Sequence, residues 1–178
     1  MLKIFKTQDG FTLIEIISVL VILGILVVVA ASRMTNYNME VRTGADALKA
    51  HLRYAQTMAM NRDPNVATET IIGINYDAGA NQYWLFGGIN TGNILFLPDD
   101  SQYVTSDDKI NLTAKKIKIT FSNGVNTIYF DKHGIPYTAY TDSINNIPLA
   151  NALTISVTSL IGSSSSSVTI TPLTGFIP

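Results

Sequence analysis

The sequence predicts an α+β protein, with one long N-terminal helix packed on a mainly antiparallel β-sheet domain. Three observations lead there. Phe11 to Ala31 is an apolar run of membrane length. Apolar residues then recur at helical spacing as far as Ala59. Beyond Pro64 the pattern becomes short alternating segments broken by Gly, Asn and Asp. The expected divisions are a leader over 1–10, a transmembrane helix over 11–31, an amphipathic helix over 32–63 and a β domain over 64–178.

The leader is short and basic, with Lys3 and Lys6. In an ordinary secretory signal the apolar core precedes the cleavage site. Here Gly10, the small residue suited to cleavage, comes before the apolar run, so cutting there leaves the run on the mature chain. Phe11 to Ala31 is 21 residues, with only Thr12, Glu15 and Ser18 polar. As a helix it is about 31 Å long, enough to cross a bilayer core. The two lysines favour a cytoplasmic N-terminus, which Arg33 at the far end weakens slightly. A plain signal anchor has no need of Glu15. A carboxylate costs roughly 2.5–3.5 kcal/mol near the centre of a spanning helix and less near its end.

Gly10-Phe11-Thr12-Leu13-Ile14-Glu15 resembles the processing motif of type IV pilins and type II secretion pseudopilins. Motif, leader charge and apolar run stand in the required order. The resemblance implies that a prepilin peptidase cuts between Gly10 and Phe11 and methylates the new Phe11 amine. It also implies that Glu15, fifth residue of the mature chain, pairs with the Phe11 amine of a neighbouring subunit. The physics agrees, because breaking a buried ion pair costs several kcal/mol and that cost favours correct register. The family's further partners are an inner-membrane assembly platform, other pilin or pseudopilin subunits, and the inner membrane itself before assembly. The expected end point is a periplasmic or extracellular filament.

The amphipathic part carries Val41, Ala45, Leu48, Leu52, Ala55 and Ala59, spaced 4, 3, 4, 3, 4 along one helix face. Asn61-Arg62-Asp63-Pro64 ends the helix, because proline disfavours helix at the residue before it. Phe11 to Asn61 as one helix is about 76 Å long and needs support from membrane or neighbours. Gly24 lowers helix stability by about 1 kcal/mol relative to alanine and serves local melting or close packing, of which we favour packing. Many family members have proline where this chain has Ser32, so a straighter membrane exit is expected. The helix from Ala45 to Arg62 is similar to that of H-type minor pseudopilins and FimT-like minor pilins. A lone helical histidine, His51, is expected at a surface or boundary position rather than as a ligand.

In the β region, Val66 to Tyr76 alternates as one strand, Asp77 to Asn81 turns, and Tyr83 to Phe86 pairs back. A Gly- and Asn-rich loop over 87–93 and a short strand over 94–97 follow. Pro98 to Asn111 is polar and expected to be irregular. Ile117, Ile119 and Phe121 form a half-buried strand. Ser122-Asn123-Gly124 turns into Thr127 to Phe130, and Asp131 to Gly134 turns again. Leu153 to Ser159 and Val168 to Thr171 are the last strands, joined by Gly162 and five serines read as a flexible surface hairpin. The order from Phe130 to Gly175 resembles the C-terminal sheet of the same minor pseudopilin and minor pilin group.

Composition narrows the function. The chain has 178 residues, 47% hydrophobic and 14% charged, with no cysteine. Many major pilins close a C-terminal loop with a disulfide, and this chain must fold on its core alone. Removing residues 1–10 takes Lys3, Lys6 and Asp9 from 12 basic and 13 acidic side chains, leaving 10 and 12. That balance gives no bulk attraction to DNA. Lys115, Lys116 and Lys118 are the only basic cluster and read as edge-strand protection, so DNA is not an expected partner. Asp99, Asp100, Asp107 and Asp108 are calcium candidates in one loop, but without EF-hand spacing they read as a solvated acidic loop. No cofactor is expected. Nothing has the spacing of a nucleophile elbow, phosphate loop or metal site, so the chain reads as a non-enzyme. The expected function is a structural subunit of a type IV pilus or type II secretion pseudopilus, and the resemblance to minor pseudopilins and minor pilins implies a minor subunit. The alternatives are a major pilin homopolymer and a FimT-like DNA-uptake pilin.

Overall fold

The computed structural model describes residues 12–62, 71–98, 103–122 and 124–178. It contains two compact units, Met1–Asn36 and Tyr37–Pro178. One helix, α1, runs from Leu13 to Met60. Ten strands follow: β1 (Ile72–Asp77), β2 (Gln82–Gly87), β3 (Ile94–Leu95), β4 (Ile110–Asn111), β5 (Ile117–Phe121), β6 (Thr127–Phe130), β7 (Pro136–Tyr140), β8 (Asn146–Pro148), β9 (Leu153–Ser159) and β10 (Ser165–Ile170).

The α+β expectation holds. The α1 ladder runs through both Gly24 and Ser32 without a break. Ser32 turns its hydroxyl back to the Val29 carbonyl at 2.9 Å, a local bond that a helix accommodates without a kink of the proline kind. The helix ends at Met60, one residue before the expected stop; Asp63 and Pro64 lie outside the described residues.

Strands form two antiparallel sheets. The larger has the order β3-β2-β1-β6-β7-β8, with β4 sharing the outer edge of β2 beside β3. The smaller has the order β10-β9-β5. The hairpin at Asp77 is as expected: Asp77 pairs with Gln82. The Asp77 carboxylate accepts from the Gly79 and Ala80 amides at 2.8 and 3.2 Å, the side-chain turn that makes Asp a good initiator.

The turn after Phe121 is present, with the Gly124 amide bonding to the Phe121 carbonyl at 3.3 Å, and it leads from one sheet to the other: β5 pairs with β9 while β6 pairs with β1. Three expectations are corrected. The segment read as irregular holds β4, with a bridge from Val104 to Ile110. Strands β7 and β8 were not anticipated, because Pro136 opens β7 and neither strand alternates cleanly. The serine run is not all hairpin, since Ser165, Ser166 and Ser167 belong to β10 and pair with Thr158, Val157 and Ser156. The proposed strand start at Val66, Thr68 and Thr70 lies outside the described residues.

All six apolar helix positions from Val41 to Ala59 are buried. They share one core with Ile72, Ile74, Leu85, Ile128 and Phe130 of the larger sheet and Ile117, Ile119, Ile155, Val157 and Ile170 of the smaller. Burying the Val, Leu, Ile and Phe side chains among them is worth about 1.5–3 kcal/mol each. Gly44 permits the helix to approach β5, because a Cβ there would overlap Ile117.

Candidate assembly segment and head surface

Leu13 to Ser32 is long and apolar enough to cross a membrane, with mean hydropathy 3.1 and none of it buried within the chain. Thr12 opens the helix: its carbonyl accepts from the Glu15 and Ile16 amides at 3.1 and 3.3 Å. Glu15 therefore sits in the first turn. There the helix dipole favours a carboxylate by about 0.3–1 kcal/mol, less than its cost in an apolar medium. Thr12 and Glu15 also have the Thr-x-x-Glu spacing of a helix start, a local signal that by itself places Glu15 in the first turn. Ser18 returns its hydroxyl to the Ile14 carbonyl at 2.8 Å. That bond hides one of the three polar groups of the span. A Cβ on Gly24 would meet nothing within 4 Å, so any close packing there involves another molecule. Gly10 and Phe11 lie outside the described residues, as does the rest of the leader.

The head unit places the other candidates. His51 is buried, which corrects the surface expectation. It lies three residues from Leu48 and four from Ala55, so it falls on the buried face of the helix. Its Nδ1 is 2.8 Å from the Tyr83 hydroxyl and its Nε2 is 3.3 Å from the Pro98 carbonyl. A carbonyl only accepts, so Nε2 donates to it.

The lysine cluster is dispersed. Lys115 lies over the Tyr103 ring, 4.9 Å from its centroid. Lys116 pairs with Glu40 at 3.4 Å. Lys118 is exposed on β5, an edge strand, where a lysine discourages edge pairing. Of the calcium candidates, Asp107 and Asp108 are in an exposed turn, while Asp99 and Asp100 lie outside the described residues. No group of three or more His, Cys, Asp or Glu that could hold a metal occurs among the described residues.

The C-terminal tail is held by the helix. Arg53 donates to the Ile177 carbonyl, and Gln56 donates to the Gly134 carbonyl at 2.9 Å and the Thr174 carbonyl at 3.2 Å. Asp131 organises the adjoining turn, accepting from the His133 and Ile135 amides at 2.9 Å each and from the Tyr137 hydroxyl at 3.1 Å. Sequence reasoning did not anticipate this clamp, whose partners are over 70 residues apart.

Comparison with known proteins defines the class. The chain has the fold of a type IV minor pilin. It is similar to the type IV minor pilin FimU of Pseudomonas aeruginosa strain PAO1 in two crystal forms. One match has TM-score 0.51 and 16% identity, covering 78% of this chain and 87% of FimU. The other has TM-score 0.50 and 15% identity, covering 77% and 90%. At these identities the likeness establishes fold alone. Residues 5–31 match the family model described as the prokaryotic N-terminal methylation motif, the feature this chain shares with type IV pilins. No curated protein sequence matches.

Proposed function

We propose that this chain is a structural subunit of a type IV pilus, present as a minor component. One observation carries the reading: a methylation motif over residues 5–31 leads into an exposed apolar helix that continues as the core helix of a minor-pilin head.

In this reading prepilin peptidase removes residues 1–10 and methylates Phe11. The chain then waits in the inner membrane with its N-terminus cytoplasmic. An assembly platform extracts it, and residues 11–31 pack among the helices of other subunits. Glu15 neutralises the Phe11 amine of a neighbour, since both charges leave water together. Residues 32–63 and 64–178 form the exposed head. The dispersal of Lys115, Lys116 and Lys118 gives no continuous phosphate-tracking surface, so DNA uptake is not the function adopted.

The test is made in cells that build the filament. Mass spectrometry of the mature chain should begin at Phe11 carrying one extra methyl group. Glu15→Leu should still be cut and inserted yet be lost from purified filaments. Recovery of that variant at wild-type level sinks the pairing role, and an uncut chain sinks the whole reading. A copy number close to that of the main subunit would make it a major pilin.

A further inference from the structure

Strand β9 runs back toward the start of the head's helix. Val157 lies beside Gly44, and further along the hairpin Ser164 and Ser165 line a cavity of about 260 Å³ with Val41 and Arg42. The Ser159 amide donates to the Ser164 carbonyl at 3.0 Å and closes the ladder there, so Leu160 to Ser163 form the tip beyond it. That tip is apolar. Leu160 and Ile161 are 48% and 56% exposed, and Met39 on the adjoining helix is also exposed. The tip is built rather than loose. The Leu160 amide donates to the Lys116 carbonyl at 2.9 Å. The Ser159 hydroxyl accepts from the Ile161 and Gly162 amides at 3.2 and 3.0 Å. The backbone thus holds two apolar side chains in water at fixed places.

Charge and chain length point to what covers it. No acidic residue follows Asp142, so the hairpin itself bears no negative charge. Arg42 is exposed and forms no ion pair among the described residues. Lys116 is exposed and offsets Glu40 at 3.4 Å. Lys118 is exposed on β5, across from Thr158 of β9. The exposed Asp46 stands one turn further along the helix. An apolar tip framed by cations suits a surface of anionic lipid headgroups. Such a surface is within reach, because Arg42 follows the end of the membrane-length span, Ser32, by only ten residues. Ten residues cover about 15 Å as a helix and at most about 36 Å extended. A surface tethered this closely needs little affinity of its own.

We propose that, before assembly, the β9–β10 tip rests on the same membrane that the first part of α1 spans. Leu160 and Ile161 enter the boundary between headgroups and acyl chains, and Arg42, with the serines of its cavity, faces the lipid phosphates. The polar layer over the hydrocarbon is about 5–7 Å deep, and a tip that runs back along the helix, with the usual tilt of a spanning helix, closes the remaining distance. The contact limits the swing of the head while the subunit waits and is given up on extraction. The inference rests on the reading of residues 11–31 as a membrane span and adds a second, reversible membrane contact to it.

The chain has no cysteine, so a single introduced thiol can carry a fluorophore at a chosen place. The full-length chain with Ser163→Cys is labelled and reconstituted in vesicles of phosphatidylcholine with about a quarter phosphatidylglycerol. The control label is at Phe176→Cys, on the tail that Arg53 holds at the other end of the head. With quenchers on the lipid acyl chains, the Ser163 label should be quenched about threefold or more above the control. Leu160→Asp combined with Ile161→Asp should bring that quenching down to the control. Its melting temperature should stay within about 2 °C of wild type, because both side chains are exposed. Arg42→Gln should lower the quenching about twofold, and an unchanged value overturns the phosphate contact. Equal quenching at the two positions, or quenching that survives the double aspartate variant, overturns the proposal. So does a Ser163 label shielded only in assembled filaments, which assigns the tip to a neighbouring subunit. A wild-type chain that does not float with the vesicles overturns the membrane reading itself, which is a different result.

Discussion

The Arg53 guanidinium donates twice to the Ile177 carbonyl, at 2.7 and 3.1 Å, and so ties the last residues of the chain to its first helix. Ile177 is itself buried. Hydrogen bonds from a charged donor are worth about 1.5–3 kcal/mol. Arg53→Ala should therefore destabilise the head by about 1–3 kcal/mol. Thermal unfolding in detergent measures the loss, and faster amide exchange at Thr171 and Gly175 would locate it.

Gly175 should tolerate no side chain. Its φ is +62°, and a Cβ would stand 2.5 Å from both Gln56 Nε2 and the Gly134 carbonyl oxygen. The side chain of Gln56 can move, but the backbone carbonyl cannot move without unmaking the clamp. Gly175→Ala should cost about 2 kcal/mol or more, through strain and overlap together. A melting temperature within about 2 °C of wild type would contradict this.

Alkaline pH should weaken the head. Burial, then the Asp131 carboxylate, push the Tyr137 hydroxyl up from 10.0 to about 12. Burial raises Tyr76, Tyr129 and Tyr140 as well. The folded state holds the neutral phenol, so the unfolded chain loses its proton first. This contribution is complete below about pH 10 and is lost as pH rises through about 12. Tyr137→Phe should flatten the fall in stability over that interval, while lowering stability at neutral pH because Asp131 loses a donor. Denaturant titrations at a series of pH values would resolve both effects.

The two parts of α1 should respond differently to truncation. Leu52 is fully buried among core residues, and Leu52→Ala should cost about 2–5 kcal/mol. Leu20 is 61% exposed within the chain. Leu20→Ala should leave head unfolding unchanged and act only on membrane insertion or filament yield. Unfolding curves of the two variants in detergent, set beside filament recovery, make the comparison.

Much of this was readable beforehand, for reasons that differ by element. The helix face from Val41 to Ala59 was legible because its spacing is local and dense. The Asp77 hairpin was legible because one Asp, one Gly and two alternating flanks decide it. Strands β7 and β8 were not, since Pro136 and mixed burial remove the alternation. His51 takes its burial from its place on the helix face, three residues past Leu48, and not from its residue type. Among the site residues, Glu15 and the motif around it stand out by order alone. Arg53 and Gln56 look like ordinary polar helix residues until their partners are known.

By itself the sequence determined a membrane-length helix with one acidic residue, a methylation motif ahead of it, and a β-rich remainder. Those features depend on neighbours within a few residues, and periodicity or order records them directly. Only the tertiary structure decided that β5 leaves β6 for β9, that His51 turns inward to Tyr83, and that Gln56 binds Gly134 to Thr174. Each of those joins residues at least 32 positions apart. Such contacts are chosen by which surfaces fit once the helix face is covered, and no local pattern in the chain specifies that choice.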